Sequence, residues 1–163
     1  MSYISLLYHI IFRTKYSTNV IMDEHASKLY EYMVGIARNR KSFVYIIGGM
    51  PNHIHMLISI SPEIAISEFM QVLKSETSKW IKQTGLFPDF IGWGSGYVAF
   101  SYGINMKSTI YRYIQNQKEH HCRKSFREEY EKIMRDNGLD PTTDLFLKDW
   151  FRAASSRFPW YAS

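Results

Sequence analysis

Hydrophobic and polar residues alternate with a period of two in two stretches near the start of the chain, residues 3–13 and 53–60. Successive side chains of a β-strand leave on opposite faces, so this pattern predicts two strands, each with one face in a hydrophobic core. Between them, residues 42–48 contain the apolar run Phe43-Val44-Tyr45-Ile46-Ile47, which predicts another strand. In the first strand the predicted core face consists of Ile4, Leu6, Tyr8, Ile10 and Phe12.

Between and after these stretches the hydrophobic period changes to about 3.6 residues, which predicts helices. Residues 23–41 and 64–83 have this period. Residues 90–102 are aromatic and interrupted by glycines, which predicts a fourth strand with a bend or bulge near Gly94-Ser95-Gly96. Three further helices are predicted after it, over residues 105–121, 123–137 and 145–153.

The order β-α-β-β-α-β-α matches the ferredoxin-like, or RRM-like, arrangement. We therefore expect an α+β fold with an antiparallel sheet, two helices on one face of the sheet and the other face open. An additional C-terminal helix and a helical tail follow this core. At 163 residues the chain is expected to form a single domain, with a core over 1–122 and a tail over 123–163.

Composition narrows the class of partner and the compartment. Hydrophobic residues make up 45% of the chain, enough for a folded core, and the net charge of +5 favours a polyanionic partner. The single cysteine, Cys122, excludes an internal disulfide and fits a reducing compartment. No apolar run is long enough to span a membrane, so the sequence predicts a cytoplasmic protein.

The third strand contains two histidines that are candidate metal ligands. His53 and His55 leave the strand on one face, together with His9 of the first strand, while the aliphatic residues between them leave on the other. Two imidazoles on a stiff strand can bind one metal ion together, although two ligands alone are an incomplete site. The alternative is a pair of half-exposed rings with no ligand. Gly48-Gly49 is expected to form the tight turn before this strand.

The helix over residues 105–121 brings a hydroxyl and an amide together. Tyr113 and Gln117 are four residues apart and should share one stripe of the helix. Tyr111 is six residues before Gln117 and should lie on nearly the opposite side. The alternative for Tyr113 is simple packing with Ile110 and Ile114.

These motifs together resemble the single-tyrosine HUH transposases, which include single-strand insertion-sequence transposases and repeat-associated tyrosine transposases. The resemblance covers most of the chain and rests on Gly49-Met50-Pro51-Asn52-His53-Ile54-His55-Met56, Gly96-Tyr97-x-Ala99-Phe100-Ser101, Tyr113-Ile114-x-Asn116-Gln117, Glu119-His120-His121 and Phe126-Arg127-Glu128-Glu129-Tyr130. Gly94-Ser95 and Val98 depart from the residues typical of the family in the segment before Ala99.

The resemblance implies an activity and a set of site residues. His53, His55 and Gln117 would hold one divalent metal ion, Mg²⁺ or Mn²⁺, and Tyr113 would be the nucleophile. The enzyme would cleave and rejoin single-stranded or hairpin DNA through a 5′-phosphotyrosine. It also implies a homodimer, and we expect the active sites to be shared between the two chains.

Residues that contact DNA are harder to identify from the sequence. Basic residues suited to phosphate contacts are Arg13, Lys15, Arg112 and Lys118, and aromatic residues suited to base stacking are Trp93 and Tyr97. Solvated helix faces and core packing are the alternatives for these residues. Two other functions stay open: a ferredoxin-like nucleic-acid-binding module without catalysis, and an HUH nickase of replication or mobilisation.

Overall fold

One antiparallel sheet forms the centre of the molecule in a computed structural model that describes residues 1–121 and 125–143. Its strands are β1 (Leu7–Arg13), β2 (Phe43–Met50), β3 (His53–Ser59) and β4 (Val98–Tyr102). They lie in the order β2-β3-β1-β4, and every neighbouring pair is antiparallel. This order confirms the ferredoxin-like α+β fold that the sequence predicts.

The helices are α1 (Asp23–Asn39), α2 (Ile66–Thr84), α3 (Lys107–Gln115), α4 (Gln117–His121) and α5 (Phe126–Asp136). Short 3₁₀ turns occur at Lys15–Ser17, Ile104–Met106 and Pro141–Thr143. Within the part of the chain described, no helix combines the length and the apolar character needed to cross a bilayer. The predicted helix over 145–153 lies outside the described residues.

The main core lies between α1, α2 and one face of the sheet. The even-numbered aliphatic residues of β3 point into it, as the alternation predicts, and the helices contribute their apolar stripes. Its fully buried members include Ile10, Phe12, Ile54, Met56, Ile58, Leu29, Met33, Phe69 and Leu73.

The opposite face of the sheet, which we call the histidine face, carries Leu7, His9, Ile11, His53, His55 and Leu57. The expectation that this face is open is wrong, because α3 and α5 cover it. Ile110 and Ile114 of α3 pack on the Leu7 and Leu57 side, and Phe126 and Tyr130 of α5 pack on the Ile11 side. Besides the histidines, this face carries the apolar residues Leu7, Ile11 and Leu57. It would therefore expose a large hydrophobic surface if the helices did not cover it.

Two glycines predicted to form a turn lie within β2 instead. Gly48 pairs with His55 and Gly49 with Ile54, and the hairpin turn is made by Pro51 and Asn52. A Cβ at Gly48 would lie 2.9 Å from the carbonyl oxygen of Ile114. The absence of a side chain at this position therefore lets the end of α3 approach the sheet closely.

Three predicted element boundaries also need correction. The first strand begins at Leu7 rather than residue 3, and only Val98–Tyr102 of residues 90–102 form a strand. The predicted helix over 105–121 is interrupted at Asn116, whose φ of −97° and ψ of 20° separate α3 from α4. Asparagine is a poor residue for a helix interior because its amide competes for backbone hydrogen bonds.

Candidate active site

β1 and β3 place three histidine rings next to one another on the histidine face. His53 and His55 are fully buried, and their ring centroids are 5.2 Å apart. His9, on the neighbouring strand, stacks on His55 with a centroid separation of 5.1 Å. The spacing of two in β3 and the antiparallel pairing with β1 produce this cluster directly from strand geometry.

Hydrogen bonds to the Nδ1 atoms orient both β3 histidines. His53 Nδ1 lies 2.7 Å from Asn52 Oδ1, and His55 Nδ1 lies 2.8 Å from His9 Nε2. Burial lowers the pKa of His9 to about 3, so its ring is neutral at physiological pH and Nε2 can accept. In the tautomer with the proton on Nδ1 in both rings, each Nε2 carries the lone pair that a metal ligand needs.

A carboxylate from α5 joins the two histidines. The ligand atoms of His53, His55 and Glu129 all lie within 4.8 Å of one another, and all three residues are buried. Burial raises the pKa of Glu129 to about 7. Glu129 belongs to the Phe126–Tyr130 motif, but that motif gave no reason to place its second glutamate beside the histidines.

Gln117 is connected to the same cluster by a hydrogen bond to Glu129. Its amide Nε2 donates a hydrogen bond to Glu129 Oε1 over 2.9 Å, and the residue is 2% exposed. The side-chain oxygen Oε1 is buried, and no hydrogen-bond donor of the described residues reaches it. This oxygen is therefore available as a ligand, although it comes from α4 and not from one unbroken helix with Tyr113.

Tyr113 of α3 borders the cluster from the other side. Its ring centroid lies 5.8 Å from that of His55 and 6.1 Å from that of His9, with edge-to-face geometry in both pairs. Tyr111 is exposed on the outer side of α3, as the helical angle predicts. The structure thus brings Tyr113, His53, His55 and Gln117 to one region of a single chain.

A cleft of about 590 Å³ leads from the surface to this region. It lies between β4, α3 and α5, and most of its wall is apolar. It is lined by His9, Tyr102, Met106, Thr109, Ile110, Tyr113, Glu129, Lys132, Ile133, Asp136 and Asn137. His9, Tyr113 and Glu129 border the cleft, whereas His53 and His55 do not line it and are fully buried.

The basic residues considered for phosphate contacts occupy different environments. Arg13 is 2% exposed, lies opposite His53 in the β1–β3 pairing and donates to Ser17 Oγ. Lys15, Arg112 and Lys118 are exposed, and Lys118 forms an ion pair with Asp23 at 3.0 Å. Arg13 is therefore near the histidine cluster, whereas the other three lie on the surface.

The two aromatic candidates for base stacking are engaged in packing. Trp93 lies edge-to-face against Phe12 at 5.1 Å, and its Nε1 donates to Thr77 Oγ1 at 2.9 Å. Tyr97 is half-buried, with Lys74 Nζ 5.9 Å from its ring centroid. For Trp93 this arrangement favours the packing alternative.

The order of the histidine strand, the tyrosine helix and the glutamine also corresponds to a known family. Residues 2–117 match the model of the family described as Transposase IS200 like. The chain belongs to this transposase family. The matched region includes His53, His55, Tyr113 and Gln117 and ends before α5 begins.

Individual relatives agree with this assignment. The ISDra2 transposase TnpA of Deinococcus radiodurans is 29% identical over 119 residues, which cover 70% of this chain and 85% of that protein. A crystal structure of a proposed transposase from Deinococcus radiodurans R1 is 26% identical and has a TM-score of 0.57. The similarity covers 72% of this chain and 95% of that chain.

A third similarity concerns the fold. The structure of a REP-associated tyrosine transposase bound to a REP hairpin has a TM-score of 0.56, with 74% of each chain covered and 12% identity. The family predicted from the sequence motifs is confirmed, and the protein is a DNA transposase.

Proposed function

We propose that the protein cleaves and rejoins single-stranded DNA, with Tyr113 as nucleophile and His53, His55 and Gln117 as ligands of one divalent metal ion. The observation that carries this proposal is the convergence of these four side chains, from β3, α3 and α4, on one buried region beside a cleft. Imidazole nitrogens oriented by their outer hydrogen bonds and a buried amide oxygen are a donor set that suits Mn²⁺ better than Mg²⁺, which prefers oxygen ligands.

The reaction is a displacement at phosphorus. The Tyr113 hydroxyl oxygen bonds to the scissile phosphorus, and the bond from phosphorus to the 3′ oxygen breaks with its electron pair on that oxygen. The tyrosine loses its proton and the leaving oxygen gains one, which yields a 5′-phosphotyrosine and a free 3′-hydroxyl. The phosphodiester is conserved in the covalent link, so a 3′-hydroxyl can reverse the step and rejoin DNA.

The chain's own residues supply positioning and exclusion of water. A bound divalent metal would neutralise charge on the phosphate, which matters because a free tyrosine with a pKa of about 10 is a poor nucleophile near neutrality. α3 holds the Tyr113 ring against His9 and His55. Phe126 and Tyr130 cover the site from the α5 side and keep its surroundings apolar.

The substrate we propose is a single strand or the base of a hairpin. The cleft between β4, α3 and α5 borders Tyr113, and the net charge of +5 favours a polyanion. We also propose a homodimer in which α3 of one chain serves the histidines of the other. In the single chain α3 lies on its own sheet, which is the competing arrangement.

The decisive experiment looks for the covalent intermediate. The protein is incubated with labelled single-stranded DNA and Mn²⁺, and a protein–DNA band that resists denaturation is expected. Tyr113→Phe should give no such band and should still bind DNA, whereas the matched control Tyr111→Phe should keep it. A covalent band from Tyr113→Phe at the wild-type level would refute the assignment of the nucleophile.

The same assay separates the competing functions. A binding module would shift labelled DNA and form no covalent band under any condition. A nickase that only opens a strand would form the band but would not join the cleaved strand to a second DNA. Joined products that depend on Tyr113 are expected for a transposase.

A further inference from the structure

α5 places a carboxylate at the metal site, although it lies beyond the region that matches the family model. That match ends at residue 117, and α5 begins at Phe126. Ser125 and Glu128 start the helix with a reciprocal capping box, which fixes where its first turn begins. Glu129 is one residue further along, on the side of the helix that faces the sheet together with Phe126 and Tyr130.

The surroundings of Glu129 explain why a metal would suit this position. Glu129 is buried, with 7% of the residue exposed. Its hydrogen bond from the Gln117 amide comes from a neutral donor. Burying a charged carboxylate is expensive unless an opposite charge compensates it. The ligand atoms of His53 and His55 lie within 4.8 Å of those of Glu129, so a divalent cation held by the three groups would place positive charge directly beside this buried carboxylate.

We propose that Glu129 is a protein ligand of the divalent metal, acting together with His53, His55 and Gln117. This inference rests on the function proposed above. One carboxylate oxygen would bind the metal, and Oε1 accepts the hydrogen bond from Gln117 Nε2, which holds the Gln117 amide beside this carboxylate. The resulting set of two nitrogen and two oxygen donors is harder than the histidine pair alone and better suited to Mn²⁺ or Mg²⁺.

Because Glu129 belongs to α5, metal binding would be coupled to the packing of α5 on the sheet. Phe126 lies over the His53 ring with a centroid separation of 4.0 Å, and Tyr130 is fully buried beside it. A metal bound by β3 and Glu129 joins α5 to the sheet at the point where these rings already touch. Metal binding should therefore slow hydrogen exchange of the α5 amides, because opening α5 would also break a metal bond.

The test compares Mn²⁺ affinity by calorimetry in the wild type, Glu129→Gln and Glu128→Gln. Glutamine at position 129 keeps the side-chain volume and an oxygen that accepts from Gln117, so it removes the charge and leaves the positioning contact. We expect at least the roughly 10-fold loss of affinity that even an outer-shell change causes. Glu128 is exposed on the same helix, and glutamine also serves in a capping box, so Glu128→Gln should bind Mn²⁺ as the wild type does.

Two further measurements separate the possible failures. His53→Ala should lose Mn²⁺ binding; if it does while Glu129→Gln keeps wild-type affinity, Glu129 is not a ligand and the proposed metal site stands without it. If the wild type does not bind Mn²⁺ at all, the proposed metal site and this inference both fail.

A spectroscopic readout covers the case in which Glu129→Gln does not fold. Glu129→Asp keeps the charge but shortens the side chain, and Co²⁺ replaces Mn²⁺ because its visible bands report the identity and geometry of its ligands. A ligand role predicts a change in these bands between the wild type and Glu129→Asp. Identical bands would overturn the inference, since a residue that only supports packing would not alter them.

Discussion

His9 should control metal affinity without binding the metal. It is 2% exposed, and its Nε2 lies 2.8 Å from Nδ1 of His55. Burial lowers the pKa of His9 to about 3, so its ring is neutral and its Nε2 can accept a hydrogen bond from His55 Nδ1; we expect this contact to favour the His55 tautomer whose Nε2 is free to bind metal. Replacing His9 with leucine fills the position on β1 with an apolar side chain of moderate size and removes this acceptor.

The size of the effect follows from what His55 loses. Without the acceptor, its Nδ1–H is a buried donor in an apolar site, which costs about 1–3 kcal/mol, or the ring changes tautomer and blocks its own ligand nitrogen. Loss of an outer-shell partner of this kind typically weakens metal binding by roughly 10- to 100-fold, or about 1.4–2.7 kcal/mol. We expect this loss for His9→Leu.

Titration calorimetry with Mn²⁺ provides the assay, and His9→Gln provides the matched control. A glutamine side chain reaches to about the position of the histidine Nε2 and presents an amide oxygen, so affinity should stay near the wild-type value. Unfolding by urea without metal should show that His9→Leu remains folded. Equal Mn²⁺ affinity in His9→Leu and the wild type would refute the argument that His9 sets the tautomer of His55.

Three other properties can be tested directly. Mixing inactive His53→Ala with inactive Tyr113→Phe should restore cleavage if sites are shared between chains, whereas a mixture that stays inactive after confirmed subunit exchange would assign each site to one chain. Gly49→Ala should destabilise the protein in urea unfolding by about 1–3 kcal/mol, since its Cβ would clash with the backbone carbonyl oxygen of His53. The control Gly35→Ala, whose Cβ meets nothing within 4 Å, should be neutral or stabilise α1 by up to about 1 kcal/mol. Burial, with a smaller contribution from a neighbouring arginine, lowers the pKa of Lys74 to about 8. The unfolded lysine keeps its proton to about pH 10.4, so thermal stability of the wild type should rise relative to Lys74→Met between about pH 8 and pH 10, and parallel profiles would contradict this shift.

The local pattern of the sequence determined the sheet and the first part of the site. Alternation with a period of two is a property of each strand by itself, so it placed His53 and His55 on one face before any packing was known. The 3.6-residue period likewise separated Tyr113 from Tyr111 on α3, and the structure has Tyr111 exposed and Tyr113 beside His55. The ordered motifs identified the family for the same reason, since they consist of residues close together in the chain.

Tertiary structure decided how the histidine face is covered and which carboxylate reaches it. The sequence offered no reason to dock α5 on that face, and only this docking places Glu129 within 4.8 Å of the two histidines. The break at Asn116 also depends on packing, because α3 lies on β2 while α4 turns Gln117 towards Glu129. Periodicity reports which side of an element is apolar. The partner that buries this side is selected by the combined packing of distant segments, and no single stretch of the chain encodes that choice.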